Sequence, residues 1–146
     1  MRTLILFTIA FSILIAFSCK TKTDGTKTKK AACELVIIDN DYYPYADKPD
    51  FKIKEARIEG KMLYLTIYYA GGCGTHTFSL YGNTNYMKTY PIQLKIFLKH
   101  EKESETCETE QKLEKCFDLS PLKGLNGDTL RLILPGYKDK LNYKWN

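Results

Sequence analysis

Two cysteine and histidine pairs stand out in this chain of 146 residues, which contains two histidines in all. Cys73 and His76 lie three positions apart in a glycine-rich stretch, and His100 and Cys107 follow later in the chain. Thiolates and imidazoles are ligands that zinc and copper prefer. A thiolate beside an imidazole is also the arrangement of a cysteine nucleophile, and two cysteines can form a disulfide bond. The same four residues therefore allow three kinds of chemistry.

The redox state of the cysteines depends on where the protein resides, and the N-terminus predicts export. Residues 4–17 are an apolar run interrupted only by Thr8 and Ser12. As a helix this run would be about 21 Å long, shorter than the ~30 Å hydrocarbon core of a membrane. Arg2 precedes the run and the small residue Ser18 follows it. This pattern is typical of a secretory signal peptide, which we predict for residues 1–18.

Residues 15–19, Ile-Ala-Phe-Ser-Cys, resemble the lipobox of bacterial lipoproteins. The resemblance implies that Cys19 receives a diacylglyceryl group, that the chain is cut before this residue, and that its new amine is acylated. Two or three acyl chains hold a protein durably on a membrane, whereas one chain holds it only marginally. We therefore expect Cys19 to anchor the protein to a membrane of the cell envelope.

The formal charge of +5 is confined to the N-terminal part of the chain. Arg2 contributes +1, and residues 20–30, with five Lys and one Asp, contribute +4, so residues 31–146 are neutral. A neutral domain has no electrostatic surface for nucleic acid. Residues 19–30 have no large apolar side chain and are expected to form a disordered tether after the lipidated cysteine. Lipoproteins that are sent to the outer face in some bacterial phyla resemble one another in an acidic run after the cysteine, and this chain has a basic run there. We therefore expect a periplasm-facing position on the outer membrane.

Residues 31–146 are enough for one folded domain, and their pattern predicts β-strands joined by turns. Residues 51–59 alternate imperfectly and require a β-bulge, and Glu59-Gly60-Lys61 is typical of a hairpin turn. The candidate strands are residues 33–38, 51–59, 62–69, 76–80, 92–100, 113–119 and 129–134. About seven strands at these spacings predict a mainly β fold, a single immunoglobulin-like β-sandwich.

One segment, residues 101–115, is highly charged and contains a single Leu. A helix there would have no apolar stripe to bury, so we expect a long acidic loop that runs into a strand. Five of its six glutamates form an acidic cluster that is expected to be exposed to solvent: Glu101, Glu103, Glu105, Glu108 and Glu110.

Four cysteines remain once Cys19 is assigned to lipid, and in an exported domain they favour two disulfides, with three possible pairings. If residues 76–80 pair antiparallel with residues 92–100, His76 lies opposite His100, and the same hairpin brings Cys73 close to Cys107. We therefore predict the bond Cys73–Cys107 and, by elimination, Cys33–Cys116. Each bond is expected to stabilise the fold by about 2–4 kcal/mol.

The alternative is a zinc or copper site formed by Cys73, His76, His100 and Cys107. It requires thiolates, which disulfide formation removes. A Cys73/His76 nucleophile is a further alternative, but no third group that would orient the histidine is visible. We therefore predict no catalytic residue, no enzyme activity and no cofactor.

A resemblance covers roughly residues 68–134. The matching residues are Gly71–Leu80, Pro91–Leu94, Leu98–His100, Cys107 and Phe117–Leu122. They resemble a group of uncharacterised bacterial lipoproteins with a Gly-Gly-Cys-Gly-x-His-x-Phe-x-Leu core. This resemblance implies that Cys73, His76, His100 and Cys107 belong to one shared constellation, but it implies no activity.

A cluster of tyrosines around Pro44 is the candidate binding surface. Tyr42, Tyr43 and Tyr45 could form a binding edge, because tyrosine offers contact area at low entropic cost. The alternative is packing over the end of the sandwich. The predicted function is a lipid-anchored envelope lipoprotein that acts as a non-catalytic binding or structural module for an envelope protein or glycan. The alternative function is a periplasmic metal-binding protein.

Overall fold

The computed structural model describes residues 32–44, 49–124 and 127–145. The predicted signal peptide, the predicted lipidation site Cys19, the predicted tether and Tyr45 lie outside the described residues. Within these ranges, no helix is both long and apolar enough to cross a membrane. The strands are β1 (Glu34–Leu35), β2 (Ile37–Ile38), β3 (Phe51–Glu59), β4 (Met62–Ala70), β5 (His76–Gly82), β6 (Ile92–Lys102), β7 (Glu110–Asp118), β8 (Thr129–Ile133) and β9 (Leu141–Lys144), with a 3-10 helix at Ser120–Leu122.

These strands form a four-stranded sheet in the order β1-β7-β4-β3 and a five-stranded sheet in the order β2-β5-β6-β8-β9. The pairs β1·β7, β2·β5 and β6·β8 are parallel, and the others are antiparallel. Apolar side chains from both sheets form one core cluster. The predicted mainly β class and the two-sheet sandwich are confirmed.

Alternation along the strands builds this core, because successive side chains point to opposite faces of a sheet. In β4, Leu63, Leu65 and Ile67 are buried, and the residues between them are partly exposed. In the opposite sheet Phe78 and Leu80 of β5 are fully buried. Further buried members of the second sheet are Leu94, Ile96 and Leu98 of β6, Leu130 and Leu132 of β8, and Leu141 and Tyr143 of β9.

The N-terminal segment differs from the single strand predicted for residues 33–38. Here β1 pairs with β7 in the first sheet, and β2 pairs with β5 in the second sheet. Val36 lies between the two strands and is 2% exposed. The chain therefore crosses from one sheet to the other at this residue. The continuous apolar run predicted a strand correctly but could not show that it changes sheets.

The β5–β6 pairing is present, but its predicted register is wrong by two residues. His76 lies opposite Lys102, and His100 lies opposite Phe78. A shift of two residues leaves every side chain on the same face of the sheet, so alternation alone cannot distinguish the two registers. The two histidines are therefore diagonal neighbours on the inner face. The bulge predicted within residues 51–59 is confirmed between Ile53 and Glu55.

Candidate functional site

The two histidines meet at one end of the sandwich. His76 begins β5, His100 lies near the end of β6, and their side chains are 4% and 2% exposed. Nδ1 of His76 lies 2.9 Å from Nε2 of His100. Phe78 stacks on His100, with ring centroids 4.2 Å apart, and Tyr69 packs against His76 at 4.5 Å. These aromatic contacts hold the rings in a buried pair.

Asp50, which immediately precedes β3, holds the other side of His100. Nδ1 of His100 donates to Oδ1 of Asp50 at 2.8 Å, and Nζ of Lys102 lies 2.9 Å from Oδ2. Burial alone would raise the pKa of Asp50, but the hydrogen bonds from His100 and Lys102 hold it below its ordinary value. Both ring nitrogens of His100 therefore have partners, and its orientation is fixed.

Glu105 holds the far end of the histidine pair. Its Oε2 accepts backbone N–H groups from Gly72, Cys73 and Gly74 at 3.1, 2.9 and 2.9 Å. Successive N–H groups of this kind form an anion-binding concavity. Burial raises the pKa of Glu105, but these hydrogen bonds and His76 more than offset that effect and lower it. Glu105 is 7% exposed, so the prediction of a solvated side chain was wrong for this residue.

The contact between His76 and Glu105 is close but is not a hydrogen bond of acceptable geometry. Nε2 of His76 lies 2.6 Å from Oε1 of Glu105. Both atoms are buried, yet neither has a hydrogen-bond partner with acceptable geometry among the described residues. A row of four side chains therefore runs from Asp50 through His100 and His76 to Glu105. We call it the Asp-His-His-Glu row.

The loop that carries Glu105 is tied to the glycine-rich turn by the bond Cys73–Cys107, whose Cα atoms are 5.9 Å apart. The second bond in the structure is Cys33–Cys116, so its two disulfides are the pairs predicted from the sequence. Gly71 has a φ of +149°, and a Cβ there would collide with Oε1 of Glu105 and the His76 ring. Glycine at this position thus permits the close approach of these groups.

The structure divides the predicted metal-ligand set into two parts. Ligand atoms of Cys73, Glu105 and Cys107 lie within 4.8 Å of one another, with both sulfurs in the disulfide. His76 reaches this group through Glu105, whereas His100 faces His76 and Asp50. Sequence reasoning missed Glu105 and Asp50. The available signal for Glu105 was its position two residues before a cysteine that faces the turn at residues 71–74.

The tyrosine cluster lies on the outer face of the five-stranded sheet. Tyr42 stacks on Tyr81 with centroids 4.2 Å apart, and Tyr43 meets Phe97 edge-on at 5.3 Å. Tyr43 is 53% exposed, and burial raises the pKa of Tyr42. Beside them lies a groove of about 680 Å³, the aromatic groove. Its walls include Tyr42, Tyr43, Asp50, Lys95, Phe97, Lys99 and His100.

No protein-family model and no curated protein matches this chain. Among solved structures, it is similar to a NigD-like immunity protein from Bacteroides caccae, with a TM-score of 0.52 at 10% sequence identity. The match covers 75% of this chain and 58% of that protein, so the chain spans less than two thirds of its length. At this identity the likeness shows a shared β-sandwich fold.

Proposed function

We propose that this chain is a lipid-anchored cell-envelope protein that acts as a non-catalytic binding module, with a protein as its partner. The observation that carries the proposal is the aromatic groove. Tyr43 is more than half exposed yet is held in place by Phe97. A rigid, exposed tyrosine supplies contact area without a large loss of conformational entropy, and such residues often dominate binding energy.

The charges beside Tyr43 favour a partner with acidic and apolar side chains. Nζ of Lys95 lies 5.9 Å from the centre of the Tyr43 ring. Lys99 lies on the same face and is paired with Glu101 at 2.7 Å. An acidic group of a partner could pair with Lys95 while an apolar side chain covers Tyr43. Complementary charges of this kind steer association and fix the orientation of a complex.

The fold-level neighbour supports a protein partner. The similar Bacteroides caccae protein is an immunity protein. Some immunity proteins form complexes with their protein partners that are among the tightest known. A β-sandwich that carries an aromatic groove is also suited to binding another protein. As part of the proposal, we extend the role of binding a protein partner to the present chain.

The positions of the histidines support a role without catalysis. His76 and His100 are the two histidines of the chain, and their side chains are 4% and 2% exposed. Both ring nitrogens of His100 contact protein groups, and both nitrogens of His76 face protein atoms. A general base must come within hydrogen-bond reach of a substrate proton, and these rings are enclosed by the protein.

A photo-crosslinking experiment in native envelopes tests the proposal. A photoreactive amino acid replaces Tyr43 in one variant and Tyr68, a partly exposed tyrosine on the opposite sheet, in the control. We expect a discrete, protease-sensitive adduct from position 43 and none from position 68. Identical adducts from both positions, no adduct from position 43, or a protease-resistant adduct that a glycosidase removes would contradict a protein partner in the groove.

A further inference from the structure

If both rings are neutral, the hydrogen bonds of the Asp-His-His-Glu row leave one position without a proton. His100 donates its Nδ1–H to Asp50, so a neutral His100 presents a lone pair at Nε2. His76 then donates its Nδ1–H to that atom, and a neutral His76 keeps a lone pair at Nε2. This lone pair faces the Glu105 carboxylate at 2.6 Å. Two buried acceptors in contact require a cation, either a proton or a metal ion.

The Cys73–Cys107 disulfide lies beside this contact, and its two sulfurs could bind a metal ion once the bond is reduced. The sulfurs of Cys73 and Cys107 and a carboxylate oxygen of Glu105 lie within 4.8 Å of one another. Together with Nε2 of His76 they would supply two sulfurs, one nitrogen and one oxygen. Donors of these types bind zinc in tetrahedral sites. Nε2 of His76 is not among the atoms that lie within 4.8 Å of one another, so it must move towards the two sulfurs when the metal binds.

The groups behind these donors are arranged as metal sites require. A histidine that binds a metal almost always donates its other ring N–H to a partner that fixes its orientation. Here His76 has His100 as that partner, and Asp50 in turn orients His100. Glu105 is held by three backbone N–H groups through the oxygen that faces away from His76.

We propose that reduction of the Cys73–Cys107 bond converts this end of the sandwich into a zinc site. Its ligands are Cys73, Cys107, Glu105 and His76, and His100 is a positioning residue. This inference concerns the disulfide end of the molecule and does not rest on the proposed function, although Asp50 and His100 also line the aromatic groove. A cavity of about 460 Å³ lies beside Cys107. Its wall contains Glu103 and Glu108, which would attract a cation, and Lys102, whose ammonium is paired with Asp50.

The reductant is a dithiol. Its thiolate attacks the sulfur of Cys73, which is an exposed residue, the bond to Cys107 breaks, and a mixed disulfide forms. The second thiolate of the reductant then displaces Cys73, so that the reductant leaves as a disulfide. Cys73 and Cys107 have gained two electrons and two protons. Zinc binding releases both thiol protons to solvent, because the ligands are thiolates.

Zinc titration of the full lipidated chain in detergent tests this proposal. A phosphine reductant opens the disulfides without adding a thiol ligand, and a chromophoric chelator competes for the metal. We expect one zinc per reduced chain and none per oxidised chain. The double variant Cys33→Ser/Cys116→Ser should still bind zinc, whereas Cys73→Ser/Cys107→Ser should not. Cobalt in place of zinc should give a thiolate charge-transfer band.

Two further variants separate ligands from positioning residues. Glu105→Gln is expected to weaken binding by at least tenfold, and His100→Gln by about 10- to 100-fold while the cobalt band remains. Circular dichroism checks that each variant keeps its sheet content. Equal zinc binding by Cys73→Ser/Cys107→Ser, no binding by the folded reduced chain, or loss of sheet structure on reduction with and without zinc would each overturn the proposal.

Discussion

A single carboxylate, Glu105, organises the disulfide end of this molecule. It ends the Asp-His-His-Glu row and accepts three N–H groups from the turn at residues 72–74. The three N–H groups share one acceptor oxygen, so one side chain fixes the conformation of the turn. The carboxylate thus connects the loop at residues 103–109 to the histidine pair on the inner face.

The charge of Glu105 should make the stability of the oxidised protein depend on pH. Its pKa is lower in the fold than its ordinary value of 4.5, so its stabilising effect is complete above that value. The effect disappears as the pH falls through the lower folded value. Glu105→Gln should therefore unfold at lower urea than wild type at pH 7, and this difference should vanish in strong acid.

Urea unfolding of both proteins with a metal chelator present measures this difference. The control is Glu108→Gln, because Glu108 is exposed on the same loop, and it should match wild type at both pH values. A constant difference between Glu105→Gln and wild type across the acid range would show that shape rather than charge is responsible.

At the residue scale, the sequence predicts two members of the Asp-His-His-Glu row, the histidines, but not the two carboxylates. His76 and His100 lie at inward positions of their strands, so alternation places them on one face. Glu105 belongs to a segment with five similar glutamates, where no periodicity distinguishes the buried one. Asp50 precedes a strand, and its contact with His100 depends on how the two sheets pack.

Among the elements, the pair β1 and β2 determines how the two sheets are joined at the N-terminus. The chain crosses between the sheets at Val36, and the bond Cys33–Cys116 ties the start of β1 to β7. Both strands have two residues, so they offer few backbone hydrogen bonds of their own. The disulfide therefore supplies much of what holds this segment in place.

Removal of this disulfide by Cys33→Ser/Cys116→Ser is expected to lower the free energy of unfolding by about 2–4 kcal/mol, because the bond closes a long loop in the unfolded chain. Denaturant unfolding measures the loss, and hydrogen exchange should show reduced protection in β1 and β2 first. An unchanged unfolding free energy, or a loss of protection confined to β8 and β9, would contradict this account of the segment.

Most of the longer strands follow from the sequence, whereas the shortest ones do not. The exception is β7, which begins at Glu110 within the predicted acidic loop, because its charged residues face outward on the first sheet and hide the strand pattern. Strand β3 has the predicted limits, and β4 exceeds its prediction by one residue. Both could be predicted because apolar and polar residues alternate along β4 and on either side of the bulge in β3. Strand β9 was not predicted, since only Leu141 and Tyr143 point inward and two positions set no period. The β5–β6 register could not be predicted either, because a shift of two residues leaves the alternation unchanged.

At the scale of the whole molecule, strand β6 connects the two candidate sites. Its outward residues Lys95, Phe97 and Lys99 line the aromatic groove, and its inward residue His100 belongs to the Asp-His-His-Glu row. Asp50 also contributes to both. The proposed binding surface and the disulfide end therefore share structural support, although their proposed roles are tested separately.

The proposed function places the protein at the cell envelope. Disulfides form and persist in an oxidising compartment. A partner in the envelope would bind a protein that is fixed to a membrane. Export with attachment through Cys19 is therefore the central claim. It rests on residues 1–19, which lie outside the described part of the structure.

Mass spectrometry of the protein purified from native membranes tests this claim most directly. We predict that the N-terminal peptide begins at Cys19, with residues 1–18 removed, and that its mass includes a diacylglyceryl group on sulfur and an acyl group on the amine. A peptide that begins at Met1 or Arg2 and carries no lipid would contradict the central claim.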